Sequence, residues 1–390
     1  MAKTATEKPG TFQRISSALR GGHARGADGK GVKRNSPTTM HVSDTAITGV
    51  ATYLCLFEQT QPAHRKSVYV IPARHRETVA ELADAVPFPG KRGLYGFCAF
   101  VLASLRTYYR VRPDVVFFHS TFSMLPMAVL RLCGARAHMI YCSHGWSIVR
   151  YTEDRGWKSA LVTLVEGHVP RLADTVINIS SYEHKLVAGL GYRGNHKLIE
   201  NAVAPSRVSS GQNAQREEGD DLNLLFVGRF DKQKGADLLL SAMTDIAALR
   251  PDIRLTMIGA GEMGELEAAM PPSAQFLGAK PQDEIDRWYA SADALIVPSR
   301  WEGFGLVVPE ALRNGTPALV SDRGALPDLI RAGETGMIFS LEDLPAFLAK
   351  LQRKDLLAMR EASRRSYYER FDIERWASAL HAEVERAGRN

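Results

Sequence analysis

From residue 38 onward, short apolar runs alternate with longer segments of helical spacing. Residues 38–44 (TTMHVSD), 67–73 (SVYVIPA), 114–120 (DVVFFHS), 137–145 (AHMIYCSHG), 175–180 (TVINIS) and 197–203 (KLIENAV) are rich in β-branched and aromatic side chains. Their unbroken apolar character is that of strands covered on both faces. Between them, 49–57, 92–112 and 122–133 carry apolar residues at helical spacing. The pattern resumes after a polar break, with strands expected at 222–230 (LNLLFVGRF), 253–262 (IRLTMIGAGE), 273–280 (SAQFLGAK) and 292–299 (ADALIVPS), and helices at 235–243 and 283–290. Strands alternating with helices predict parallel, doubly wound α/β sheets, whose ligands bind beyond the carboxyl ends of the strands. The break at 204–221 (APSRVSSGQNAQREEGDD) combines Pro, Ser and Gly with a charge run and predicts a linker between two α/β domains.

Composition narrows the class without changing that plan. The 390 residues, 45% hydrophobic and 24% charged, suffice for two full cores. The net charge of +6 falls on residues 1–36, which hold eight basic and two acidic side chains; the remaining 41 basic and 41 acidic residues balance. That tail is polar and Gly/Ser-rich, so it is expected to be disordered, and the balanced remainder argues against a nucleic-acid partner. The tail lacks the apolar segment of a secretory signal, and no apolar stretch reaches the roughly 18 residues of a membrane span. Cys55, Cys98, Cys133 and Cys142 are scattered through apolar segments and predict buried free thiols in a reducing compartment. The expected location is the cytoplasm, with peripheral contact at the inner face of the cell membrane.

The densest chemistry lies in residues 299–321, SRWEGFGLVVPEALRNGTPALVS. A predicted strand ends here in the loop Glu302-Gly303-Phe304-Gly305, whose glycines let backbone pass close to a ligand. Pro309 must sit in a first helical turn, so the helix should start near Leu306 or Val307 and offer free N–H groups to a phosphate. Glu302 and Glu310 bracket that site. After the strand at 222–230, Arg229, Lys232 and Lys234 stand in a loop suited to a diphosphate. In the first half, the strand ends carry Asp44, His119, His144 and Asn201. Any one of these residues taken alone has an ordinary structural reading, as a solvated charge or a hydrogen-bonded histidine.

Together they resemble the family 4 retaining glycosyltransferases of GT-B fold. The spacing Glu302 to Glu310 resembles the family's E-x7-E, and GRFDKQKG (228–235) resembles its G-R-x(4)-K-G. VVFFHS resembles a family strand ending in a cleft histidine, His144-Gly145 a histidine-glycine turn, and IENAV the hinge signal, with Ala202 where glycine is usual. Departures are a single glycine, Gly49, after the first strand, and Ala325 and Asp328 where glycine and glutamate are more usual. The resemblance spans about 38–390 and is closest over 222–339.

It implies two Rossmann-like doubly wound domains facing across a cleft: 37–203 for the acceptor and 222–373 for the nucleotide sugar, with the last helix, about 374–390, crossing back to the first. It further implies transfer of a hexose-type sugar, with retention, from a UDP- or GDP-linked donor to a saccharide or polyprenyl- or other lipid-linked acceptor, in cell-surface polysaccharide or glycolipid biosynthesis. Glu302 and His119 are then the expected catalytic residues, Glu302 at the reacting face of the donor sugar and His119 positioning the leaving phosphate. Arg229 and Lys234 are expected on the diphosphate, Gly303, Phe304, Gly305, Leu306 and Val307 around the donor, and Glu310 on the ribose. Lys232 has no implied role. Gly49, His144 and Asn201 are expected on the acceptor side of the cleft. No metal or cofactor is expected, because no D-x-D follows a strand; Asp220-Asp221 precedes one. A nucleotide-sugar epimerase and a non-catalytic nucleotide-sugar binder share these features and stay open at this point. The basic, aromatic stretch 89–113 (PGKRGLYGFCAFVLASLRTYYRVRP) has no acid and predicts docking on an anionic membrane.

Overall fold

The strands expected from continuous apolar runs form two all-parallel sheets. The computed structural model of the chain describes residues 37–90, 93–151, 156–206, 221–261 and 270–388. The first sheet takes β1 (Thr39–Ser43), β2 (Ser67–Pro72), β3 (Ala85–Phe88), β4 (Val115–His119), β5 (His138–Cys142), β6 (Thr175–Asn178) and β7 (His196–Leu198) in the order β3-β2-β1-β4-β5-β6-β7. Its helices are α1 (Thr48–Thr60), α2 (Leu94–Val111), α3 (Met124–Leu132), α4 (Trp157–His168) and α5 (Ser181–Gly189). The second sheet orders β8 (Leu222–Val227), β9 (Ile253–Ile258), β10 (Ala274–Phe276), β11 (Ala294–Val297), β12 (Ala318–Ser321) and β13 (Gly336–Phe339) as β10-β9-β8-β11-β12-β13. Around it lie α6 (Ala236–Ile246), α7 (Gln282–Ser291), α8 (Val307–Arg313), α9 (Leu326–Leu329), α10 (Leu344–Lys350), α11 (Arg353–Ala358) and α12 (Arg360–Arg370). Each sheet reverses its strand order once, between β1 and β4 and between β8 and β11, which is where doubly wound sheets bind ligands.

Every side chain of β1, β4, β11 and β12 is buried, as strands covered on both faces require. Two expectations need correction. The edge strand β3 was not anticipated; it is four residues long, includes Pro87 and is only partly covered, so it lacks an apolar run. Within the run 197–203 Lys197 and Leu198 are the residues paired in β7, after which the strand ends; Val203 bridges to Asp372.

The final helix, α13 (Ile373–Ala387), is capped by the Asp372 side chain on Glu374 N–H and buries Trp376, Leu380 and Val384. It returns to the first sheet: Lys197 and Thr175 reach Glu383 at 2.7 and 3.0 Å, and Arg65 reaches Glu385 at 2.5 Å. Cys142 is buried and Cys55 half-buried, but Cys98 and Cys133 are exposed, one on the outer face of α2 and one capping α3. Apolar spacing alone did not separate those faces. The basic tail 1–36, the linker interior 207–220, Lys91, Arg92 and Glu262 lie outside the described residues.

Candidate active site

The site is assembled where the two strand-order reversals meet. Gly235 adopts φ +70°, and a Cβ there would lie 2.0 Å from the Pro298 carbonyl oxygen, so only glycine lets the loop after β8 fold against the end of β11. That fold sets the Lys234 ammonium on the Glu302 carboxylate, which also accepts from Ser299 Oγ at 3.0 Å. Both partners are largely shielded from solvent. Arg229 stands half-exposed on the rim, held by Asp231 at 2.9 Å and Gln233 at 3.2 Å. Lys232 contributes its carbonyl to Arg300, whose guanidinium also forks onto Asp237 at 2.8 and 2.6 Å. That hydrogen-bonded fork holds the Asp237 carboxyl below its usual range.

The loop after Glu302 faces the first sheet's domain. A Cβ on Gly303 would lie 2.9 Å from Gly145 Cα, and Ser180 Oγ donates to the Gly303 carbonyl at 2.8 Å. Trp301 packs among the apolar side chains of the first domain, while Ser181 and Lys185 reach Asp328 at 3.0 and 3.3 Å. The missing side chain of Gly303 therefore serves a close approach between protein segments. Gly305, at φ +90°, has Leu326 where a Cβ would be. Phe304 is buried beside Phe371, so its ring belongs to the core.

Leu306 caps the seven-residue α8, which begins at Val307 with Pro309 inside its first turn. Glu310 Oε2 accepts a hydrogen bond from Tyr289 at 3.1 Å. Burial raises the Glu310 pKa, and the Arg313 charge opposes that rise.

Across the cleft, the expected role of His119 needs revision. Its side chain is fully buried, with Nδ1 at 2.9 Å from His144 Nε2 and Nε2 at 3.0 Å from His41 Nδ1. With both ring nitrogens occupied by other imidazoles, it has none left for a phosphate. His144 is the partly exposed member, next to the Gly145 that meets Gly303. Burial pulls the His144 pKa down to about 3, so the ring is neutral at pH 7. Gly49 and Asn201 line a small recess with Thr52, Tyr53, Leu306 and Trp376. Asn201 Oδ1 is buried there without a partner among the described residues.

Sequence reasoning missed His41, Ser180, Glu183, Tyr289, Ser299 and Trp301. Burial lifts the Glu183 pKa to about 8, and its Oε1 lies 3.1 Å from the Cβ position of Gly303. Ser299 could have been found, since it ends the expected strand run and sits three residues before Glu302. The others make contacts across segments far apart in the chain.

Two family descriptions match, "Glycosyl transferase 4-like domain" over residues 48–202 and "Glycosyl transferases group 1" over residues 211–368. An uncharacterised 41.2 kDa protein in the cps region of Klebsiella pneumoniae is 27% identical over 316 residues, covering 78% of this chain and 86% of its own length. A lipopolysaccharide core biosynthesis mannosyltransferase of Rhizobium meliloti is 33% identical over 35% of this chain and 42% of its own. The crystal structure of the Anabaena protein HepE in complex with UDP and glucose has a TM-score of 0.70 at 18% identity, covering 90% of this chain and all of that one. With both sheets, the cleft between them and both matched segments in place, the chain belongs to the group 1, family 4-like glycosyltransferases of GT-B fold.

Proposed function

We propose that this glycosyltransferase moves a hexose-type sugar from a UDP- or GDP-linked donor, with retention and without a metal, to a saccharide or lipid-linked saccharide of cell-surface polysaccharide or glycolipid synthesis. The observation that carries the donor half is the Lys234–Glu302 pair beside Ser299, at the reversal point of the second sheet and next to the Gly303 that meets Gly145 of the first domain. A diphosphate entering there meets Lys234 and, at the rim, Arg229, which together neutralise the leaving charge that a metal would otherwise meet. Glu302 is then left at the donor sugar, and Glu310 is close enough to α8's start to take ribose hydroxyls. The proton of the incoming hydroxyl passes to the leaving phosphate. The bound UDP and glucose of the HepE structure support a nucleotide-sugar donor. The cps-region and lipopolysaccharide relatives support a cell-surface saccharide acceptor.

A membrane-held acceptor fits the outer surface of the first domain. Leu94, Tyr95, Leu102 and Tyr109 of α2 and Phe122 and Leu125 beside it are exposed, while Arg106, Arg110 and Arg112 supply charge without a nearby acid in that helix. An aromatic and apolar face edged by arginines suits an anionic lipid surface. No helix among the described residues is long and apolar enough to cross a membrane.

Thermal melting with UDP, GDP, ADP and their sugars tests the donor half, since a ligand of the folded state raises the melting temperature. A UDP or GDP compound should stabilise the chain in the presence of EDTA; no shift with any of them would overturn the reading.

A further inference from the structure

Three imidazoles run in line from the core of the first sheet to its cleft. They come from three adjacent strands: His41 lies within β1, His119 ends β4, and His144 follows β5 by two residues. His41 Nδ1 is 3.0 Å from His119 Nε2, and His119 Nδ1 is 2.9 Å from His144 Nε2. His41 is stacked between Tyr69 and Phe117, each at 4.8 Å, with the Phe57 edge at 4.4 Å. Burial among these rings keeps His41 and His119 neutral; His144 and His41 further oppose protonation of His119, and His381 and Arg65 oppose that of His41.

A neutral imidazole has one N–H and one lone pair, so two N–H···N bonds in series share one direction. The buried end sets it. His41 Nε2 is enclosed without a partner among the described residues. As an N–H it would be an orphaned donor, whereas a lone pair there is favoured by the positive field of the buried Arg65 guanidinium, which is held against His381. The proton of His41 therefore sits on Nδ1 and points to His119 Nε2. By the same alternation His119 donates from Nδ1 to His144 Nε2. The proton of His144 is left on Nδ1, which has no partner among the described residues. His144 is also held at φ +53°, a backbone setting rarely adopted by a residue with a side chain.

We propose that this file of imidazoles presents His144 Nδ1–H to the cleft as a fixed hydrogen-bond donor for a phosphate oxygen, with His119 and His41 as positioning residues. This rests on the donor-site reading, because His144 adjoins the Gly145 that meets Gly303. A donor of fixed direction costs no reorganisation as charge develops on the leaving phosphate. In this role His144 does not take the acceptor's proton.

Long-range 1H–15N correlation on the full chain with ring-labelled histidine tests the polarity directly. Three rings should carry their proton on Nδ1 and stay untitrated between pH 5.5 and 8, assigned by loss of one signal in His144→Gln. An Nε2-protonated His144, or one titrating with the free imidazole, would overturn the proposal. Added UDP should shift the His144 Nδ1 proton; UDP that binds by calorimetry and leaves this proton unmoved removes His144 from the phosphate, with the donor reading intact. Failure of UDP, GDP and ADP alike to bind overturns the donor reading and leaves the imidazole polarity standing. In turnover, His41→Leu should lower kcat about tenfold at unchanged donor KM, and His41→Asn, which keeps an N–H toward His119, should restore it. Equal kcat for His41→Leu and the unaltered chain would remove His41 from the role. Should His41→Leu fail to fold, the correlation spectrum of the unaltered chain decides.

Discussion

Lys234→Ala separates two things the Lys234–Glu302 pair does. Both side chains are mostly out of solvent, and Ser299 is the other hydrogen-bond donor on the Glu302 oxygen that Lys234 reaches. Removing the ammonium leaves a largely buried carboxylate without its cation, at a cost of about 3 kcal/mol. In a domain of this size that is roughly 6–12 °C in Tm. Replacing Glu302 as well, in Lys234→Ala with Glu302→Gln, removes the stranded charge and should return most of that loss. Binding behaves differently. A charge-assisted hydrogen bond to a diphosphate contributes about 1.5–3 kcal/mol, so Kd for the nucleoside diphosphate should rise about 10- to 150-fold in both variants. Calorimetry with UDP and GDP, beside thermal melts, reads both effects. A Lys234→Ala protein that binds as tightly as the unaltered chain refutes the phosphate assignment; a double variant that melts no higher than the single one refutes the stranded-charge account.

Glu302→Gln should reduce turnover by far more than it weakens nucleoside diphosphate binding, and an unchanged kcat would remove Glu302 from the chemistry. Burial holds His41 and His144 near pKa 3 in the fold against 6.5 in the unfolded chain. Between those values the unfolded state binds protons that the native state refuses, so stability should fall as pH drops below 6.5, by up to about 1.4 kcal/mol per pH unit for each. Urea titrations from pH 7.5 to 4.5 check this, and a flat profile refutes it. Glu183 acts in the opposite sense. Its folded pKa is raised to about 8, so it lowers stability as pH rises from the unfolded carboxyl's pKa toward 8, and Glu183→Gln should gain most at pH 8. Without residues 1–36 the chain should still sediment with anionic vesicles at low salt, and Arg106→Glu with Arg110→Glu should abolish this; persistence in that variant refutes docking through α2.

The fold was legible because parallel strands buried on both faces must be continuous apolar runs, and VVFFH and ALIV read as nothing else at that length. Legibility fails where that physical cause is weakened. The edge strand AVPF is covered incompletely and tolerates a proline, so it carries no such run. In 197–203 the apolar residues beyond Leu198 are buried by a crossing back to α13 and not by strand pairing, and Ile199, Ala202 and Val203 join the core there. The exposed Cys98 shows the converse, since α2 keeps an apolar outer face that spacing alone assigns to the core.

The site divides in the same way. Lys234 and Glu302 could be named because each follows a strand within a glycine-marked loop, where backbone geometry leaves a local trace. Their mutual contact could not, because it depends on Gly235 fitting under the Pro298 carbonyl, a relation between segments more than sixty residues apart. His41 left no trace at all. It lies inside β1, where burial on both faces makes every position a core position, and its meaning comes only from β4 pairing beside β1 and β5 beside β4. That pairing also explains why His119, correctly placed at a strand end, is misread as a ligand-facing group: all of β4 is buried and ends level with β5, and the chain leaving β5 carries the next imidazole outward, His144, to the cleft. In a doubly wound sheet the residue at the rim is set by the segments that follow the strands, so a strand-end histidine on a central strand should be tested together with the residues that follow its neighbours.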